Sequence, residues 1–235
     1  VREAYYFFFP PDKNMSAQDT HTFEIMKSTL KKKANTVDVG AHVGFITKHS
    51  LALAPEGEHF CFEPIPKYYQ YLTKKFKNKN VHVYNMALGS KSETKEFHYL
   101  KKKPEESGFS LRGHDPDLSG DAKIQVKVDA LDNVLPEHTR VDFIKIDVEG
   151  AEMAVLLGAY RTIRKNKPII VFEHHKKSKI YFSDNSSDTI YDFLVEKCNL
   201  NVSSLNDYLQ AKKYFSKKEF FNSVDSGKYY FIAFP

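Results

Sequence analysis

Short runs of β-branched and aromatic residues alternate along this chain with longer stretches whose apolar residues recur every three to four positions. That alternation constrains the fold more than any other feature, because it is the pattern of βαβ units wound around a largely parallel sheet. Strands are expected at 36–39, 59–63, 81–84, 141–147, 169–173 and 228–234. The second is apolar nearly throughout, as a strand covered on both faces should be. Helices are expected at 22–32, from the Gly44 turn to about Leu53, from Pro66 onward, at 151–157, and around Ile190, Leu194 and Cys198. Pro66 suits a first helical turn, and Tyr68, Leu72 and Phe76 follow it at four-residue spacing.

The rhythm breaks between residues 92 and 128. Two strand patterns, at 96–100 and 123–128, flank a polar stretch containing Lys101-Lys102-Lys103, Gly108, Gly113, Pro116 and Gly120. A stretch of that length inside a compact unit reads as an insertion or lid. Neither an internal repeat nor a Ser/Gly/Pro linker divides the chain, so residues 1–235 are expected to form one domain with 1–35 as a helical lead-in. The chain starts at Val1 rather than at a methionine, which reads as a domain excised from a larger multidomain protein or as a processed form.

Composition narrows the class. The 235 residues are ample for a packed core, and no apolar run approaches the roughly 20 residues of a membrane-spanning helix. Tyr5-Tyr6-Phe7-Phe8-Phe9 lacks the basic lead and cleavage site of a secretion signal. Two cysteines cannot build a disulfide framework; Cys61 and Cys198 read as buried thiols, and the expected location is cytoplasmic. Thirty-five Lys and Arg against 30 Asp and Glu leave a net charge of +5, only mildly basic.

Asp38-Val39-Gly40-Ala41-His42-Val43-Gly44 lies where a strand turns into a helix. Glycines there let the backbone turn sharply and approach a ligand, and the helix start offers free N–H groups. The Gly-x-x-x-Gly spacing differs from the dinucleotide fingerprint and from the phosphate-binding P-loop. Glu63-Pro64 follows about 20 residues later at the end of the next strand, where a carboxylate can accept both hydroxyls of a ribose. A nucleoside cofactor without a pyrophosphate suits this pair.

Four motifs occur in order: residues 37–45 around the glycines, Phe62-Glu63-Pro64, Asn85-Met86-Ala87-Leu88-Gly89, and Ile144-Lys145-Ile146-Asp147-Val148-Glu149-Gly150-Ala151-Glu152. Together they resemble the FkbM-type class I methyltransferases, which use S-adenosylmethionine and mostly methylate hydroxyl oxygens. The resemblance implies a doubly wound, seven-stranded, mostly parallel sheet of the Rossmann-like kind, with its last strand antiparallel. It implies cofactor contacts from Asp38, Gly40, His42, Val43 and Gly44 on the methionine side, where His42 replaces the family's usual Asn. Glu63, beside Pro64, would hold the ribose, and Asn85 through Ala87 would lie against the adenine. The segment from Ser107 to Leu111 would fold over the active site.

In such a sheet the strands before Gly40, Val148 and His174 are neighbours, and ligands collect outside their C-terminal ends. Asp38, Asp147 and Glu173 should therefore meet, with Glu149 and Glu152 on the following turn and His174 and His175 beyond. Lys145 shares a strand face with Asp147 and needs a partner if buried. Asp147 is the leading general base and His174 the second; Glu149, Glu152 and Glu173 would orient the substrate or Lys145. Asp147 could instead cap the helix that follows. A divalent cation such as Mg²⁺ could sit among the carboxylates, although no fixed ligand spacing assigns one.

The expected activity is S-adenosylmethionine-dependent O-methylation of a sugar or glycan hydroxyl, with glycosyltransferase domains as possible neighbours and neither nucleic acid nor membrane as partner. An RNA ribose 2′-O-methyltransferase and a non-catalytic methyltransferase-like scaffold are the rival readings.

Overall fold

A computed structural model describes residues 16–104, 107–109, 122–175 and 189–235. Ten strands are present among them: β1 Thr36–Val39, β2 His59–Phe62, β3 Val81–Tyr84, β4 Ala87–Leu88, β5 Glu93–Tyr99, β6 Ala122–Asp129, β7 Phe143–Ile146, β8 Ile169–Glu173, β9 Asn201–Ser204 and β10 Tyr230–Phe234. Seven form the main sheet, in the order β3-β2-β1-β7-β8-β10-β9. The first five are parallel, and β10 runs antiparallel to both β8 and β9. The expected sheet, with its antiparallel last strand, is what the chain forms. β9 escapes the sequence pattern because Asn201, Ser203 and Ser204 dilute its hydrophobic signal.

The central strands are buried on both faces, and helices explain why. On one face Val39, Phe62, Ile146 and Phe172 pack with Leu156, Ile163 and Phe220. On the other, Phe143, Val171 and Ile232 meet Phe23, Ile25 and Met26 of the helix Ala17–Thr29. That helix starts five residues earlier than its periodicity suggests because Ser16 caps it, accepting from the Asp19 N–H. It stops at Thr29, where Leu30 becomes extended. The four-residue spacing of Ile190, Leu194 and Cys198 is realised as a short α-turn, Ile190–Asp192, followed by a π-helix, Phe193–Lys197.

β4, β5 and β6 build a second sheet, ordered β4-β6-β5, directly after β3. β5 and β6 pair antiparallel from Glu93↔Val128 to Tyr99↔Ala122. Ala87, Phe97, Val126 and Val128 bury one side of this sheet against Ile65. The aberrant 92–128 stretch is therefore a sheet placed over the ends of β2 and β3. Its predicted turn residues Gly113, Pro116 and Gly120 lie outside the described residues, as do Ser110 and Leu111, the aromatic run Tyr5–Phe9 and Lys176-Lys177. No described helix is long and apolar enough to cross a membrane.

Candidate active site

The glycine loop is shaped by close approach. Gly40 and Ala41 both donate their N–H to the Phe62 carbonyl, which locks the end of β1 onto β2. Gly40 has φ +81°, and a Cβ there would sit 2.0 Å from the Asp147 carbonyl oxygen. Only glycine permits that contact, and it brings the loop after β7 against the loop after β1. Gly44 caps the helix Phe45–Leu53 in the left-handed region. A Cβ at Gly44 would collide with Leu72 and Phe76, so this glycine serves helix packing.

A cleft opens beside this loop, enclosing about 570 Å³ that includes open solvent. Gly40, His42, Glu63, Pro64, Ile65 and Ala87 line one part, Phe97 of β5 with Ser107 and Phe109 beside the His98–Gly108 bridge cover another, and Asp147, Val148 and Glu149 form the remaining wall. Glu63 is buried, yet both carboxylate oxygens are engaged: Oε2 accepts from the His42 N–H and Oε1 from the Ile65 N–H, each at 2.8 Å. Burial pushes its pKa up to about 7, while the two N–H bonds pull the other way and nearby Asp38 adds a smaller upward push.

The other loop residues support this wall from behind. Asp38 accepts from the Thr47 N–H and Oγ1 (3.1 and 2.6 Å), tying β1 to the first turn of the next helix. Burial raises its pKa, which those bonds and Lys145 oppose. Val43 is partly exposed, and its carbonyl accepts from Lys75 Nζ at 2.6 Å. Asn85 donates its amide to the Glu63 and Pro64 carbonyls, both at 3.0 Å, bracing the cleft edge. Of the nine residues expected to hold a cofactor, Gly40, His42, Glu63, Pro64 and Ala87 line the cleft. Of the other four, Asn85 braces the Glu63 and Pro64 carbonyls, Asp38 anchors the next helix through Thr47, and Val43 and Gly44 meet Lys75, Leu72 and Phe76.

The acidic centre lies at the ends of β7, β8 and β10. Register puts Asp38, Lys145 and Val171 on one sheet face, and Glu173 opposite Tyr230 on that same face. Lys145, with a side chain only 6% exposed, donates to Asp147 Oδ2 at 2.9 Å. Its ammonium also lies 4.7 Å from the centre of the Tyr230 ring. The Tyr230 hydroxyl donates to the same Asp147 oxygen at 2.6 Å. Burial and the Asp147 charge hold the Tyr230 phenol well above its ordinary pKa, so it stays a donor. One oxygen from each of Asp147, Glu149 and Glu173 falls within 4.8 Å of the others.

Backbone strain aims one of these groups. Glu149 has φ +54° and is followed by Gly150 at +105°. Glu149 and His42 both occupy the left-handed region and both line the cleft. Glu152 is buried and accepts from the Gly150 N–H at 2.9 Å, so it holds this turn. Asp147 is not the cap of the following helix: Ala151 occupies the cap position of Glu152–Gly158, with no side-chain cap bond.

The two histidines after β8 separate. His174 is buried on the opposite face, its ring 5.8 Å from that of Phe220 at 22°. His175 bonds Glu173, Nε2 to Oε1 at 2.6 Å, and stacks on Tyr229. Sequence reasoning favoured His174 and left Tyr230 out. Period-two alternation carried past Glu173 points to residue 175, whereas Tyr230 is found only through β8–β10 pairing.

Residues 38–202 match the model of the methyltransferase FkbM domain, well over half of the chain. The chain belongs to this family. Among curated relatives, methyltransferase sdnD of Sordaria araneosa is 27% identical over 168 residues, covering 59% of this chain and 64% of that protein. Methyltransferase 1 of Beauveria bassiana is 24% identical over 208 residues, covering 80% and 73%. The crystal structure of methyltransferase FkbM from Methylobacillus flagellatus superposes with a TM-score of 0.57 at 14% identity, over 91% of this chain and 47% of that one. This FkbM domain thus spans just under two thirds of sdnD and about half of the M. flagellatus chain, and the latter likeness is one of fold.

Proposed function

We propose that this FkbM domain uses S-adenosylmethionine to methylate a hydroxyl oxygen, with a sugar or glycan as acceptor. One observation carries the reading: Glu63 and Asp147 stand on the walls of a single cleft, joined through the Gly40–Asp147 backbone contact. The residues present fit the cofactor. Glu63 is an acid whose oxygens are pinned by backbone N–H groups yet keep lone pairs for ribose hydroxyls. Ile65, Ala87, Phe97 and Phe109 offer an apolar bracket for a planar base.

When bound, S-adenosylmethionine supplies an electrophilic methyl carbon on a positively charged sulfur. The chain's task is then alignment and proton removal. Asp147, fixed by Lys145 and Tyr230, accepts a hydrogen bond from the acceptor hydroxyl and points its oxygen. Such positioning contributes roughly 7–11 kcal/mol, whereas a base adds about 10²–10⁴-fold. Lys145 keeps the carboxylate cluster from carrying its full negative charge.

Clustered carboxylates suit a polyhydroxylated acceptor, whose O–H groups donate, better than a polyanion such as RNA. Lys145 and Tyr230 bond Asp147 Oδ2 and His175 bonds Glu173 Oε1; activity after exhaustive EDTA treatment tests whether a divalent cation joins Asp147, Glu149 and Glu173. Cys61 and Cys198 are separate buried thiols, which suits a reducing, cytoplasmic setting. Calorimetry with S-adenosylmethionine, then methyl transfer from labelled cofactor to a panel of free and glycosidic sugars, tests the proposal. Absence of both binding heat and a thermal shift overturns it; salt-sensitive RNA binding with RNA methylation would replace the acceptor.

A further inference from the structure

We propose that a basic face with apolar tips, next to the cleft, docks this domain on an anionic phospholipid bilayer. The inference goes beyond the methyltransferase reading and does not depend on which acceptor is methylated.

The face is built by the glycine loop and the helix Pro66–Lys75. Leu72 and Phe76 are buried against Gly44, which turns the opposite side of the helix to solvent. Lys67, Tyr71 and Lys74 share that outer side at four- and three-residue spacing, with Lys75 next to them. Three large apolar side chains stand exposed here: Val43 (40%), Phe45 (40%) and Tyr71 (48%). Lys75 knits them together, donating to the Val43 carbonyl and holding its ammonium 5.4 Å from the centre of the Tyr71 ring. Val43, expected against a cofactor, stands outside the cleft lining and on this face instead.

The charge of the face has one sign. No Asp, Glu or Arg occurs from Val39 to Pro55 or from Pro64 to Ser92. Lys67, Lys74, Lys77 and Lys79 are exposed and make no ion pair with a described residue. Burial, and then the charge of Lys48, lower the Lys75 pKa, so cations crowd here.

An anionic bilayer matches both halves of this face. Its headgroups attract the lysines, and apolar tips enter the boundary between headgroup and acyl chain. A second copy of the chain does not match, because a two-fold contact would set lysines against lysines. Phosphate and base recognition favours arginine forks, which this face lacks, and gives Val43 nothing to enter.

The face adjoins the cleft: the ring of His42, a lining residue, lies 4.3 Å from that of Tyr68 on the helix. A docked domain therefore holds its cleft beside the headgroup layer. The sequence-based expectation of no membrane partner rests on the lack of a long apolar run, which concerns spanning and not peripheral contact.

Flotation of the full chain with vesicles of equal parts phosphatidylserine and phosphatidylcholine, against phosphatidylcholine alone, tests the proposal. Binding to the mixed vesicles only, weakened at about 0.5 M salt, is expected. Lys74→Gln combined with Lys77→Gln should weaken it roughly 25-fold, at about fivefold per lysine. Lys213→Gln combined with Lys218→Gln, next to β9 at the far edge of the sheet, removes the same charge and should leave binding unchanged. The chain has no Trp, so Tyr71→Trp supplies a single reporter whose emission should shift to the blue on the mixed vesicles. Absent flotation, equal losses in the two double variants, or unshifted emission on bound vesicles overturns the proposal. Preference for single-stranded RNA over the mixed vesicles, lost with Lys74→Gln and Lys77→Gln, overturns it in favour of a nucleic acid.

Discussion

The two walls of the cleft are built by different means. Glu63 is held by backbone: the N–H groups of His42 and Ile65, the Phe62 carbonyl that receives Gly40 and Ala41, and strands adjacent in the chain. Asp147 is held by side chains, Lys145 two residues before it and Tyr230 eighty-three residues after it. A backbone-held wall tolerates changes of side chain, so a substitution at His42 leaves its N–H bond to Glu63 in place. A side-chain-held wall depends on every partner, and one of them, Tyr230, comes from a strand distant in the chain.

The sharpest way to break the distinction is Gly40→Ala, because it attacks the point where the walls meet. The added methyl would face the Asp147 carbonyl oxygen at 2.0 Å from a backbone at φ +81°. Two severe strains at one position should cost more than about 4 kcal/mol. A drop of 10 °C or more in Tm, or insoluble protein, is expected; a wild-type melt would show that the walls do not touch as described.

Asp147→Asn keeps shape and removes charge. It should lower kcat by roughly 10²-fold or more while leaving the Kd for S-adenosylmethionine within about twofold, as calorimetry and a methyl-donor assay will show. Equal losses in both would mean that Asp147 belongs to the cofactor wall.

Glu63→Ala is the mirror test. Losing charged hydrogen bonds worth about 1.5–3 kcal/mol should raise the cofactor Kd by roughly 10–100-fold. Tyr230→Phe should act only on the other wall, lowering kcat about tenfold with the Kd unchanged, since one donor to Asp147 remains.

The last contrast is a pH slope. The Glu63 pKa stands near 7 in the folded chain against an ordinary 4.5. The folded state therefore binds this proton more tightly than the unfolded state does. The stability that follows is complete below about pH 4.5 and is lost as pH rises through 7, a span worth about 3 kcal/mol. Ribose hydroxyls need the ionised acid, so cofactor affinity should climb over the window from pH 6 to 8. Calorimetry and denaturant melts at pH 6 and 8 should give opposite slopes, and Glu63→Ala should flatten both.

These contrasts explain what could be read beforehand. The glycine loop, Glu63 and the Lys145–Asp147 pair were legible because turns, strand ends and period-two alternation are local. β9 was hidden by its polar residues, and Gly44 and Asn85 are supports rather than cleft lining because their neighbours, Phe76 and the Pro64 carbonyl, come from other elements. His174 and His175 could be told apart only by counting the alternation past the last strand residue.

By itself the sequence determined the alternation of strands and helices and the acids at the strand ends, since hydrophobic period and motif spacing act through near neighbours, while the antiparallel final strand was implied by the resemblance to the FkbM family. Only the tertiary structure decided which donors meet those acids. Antiparallel pairing of β10 with β8 set Tyr230 opposite Glu173 and beside Asp147, and no local pattern reports a hydrogen bond made across 83 residues.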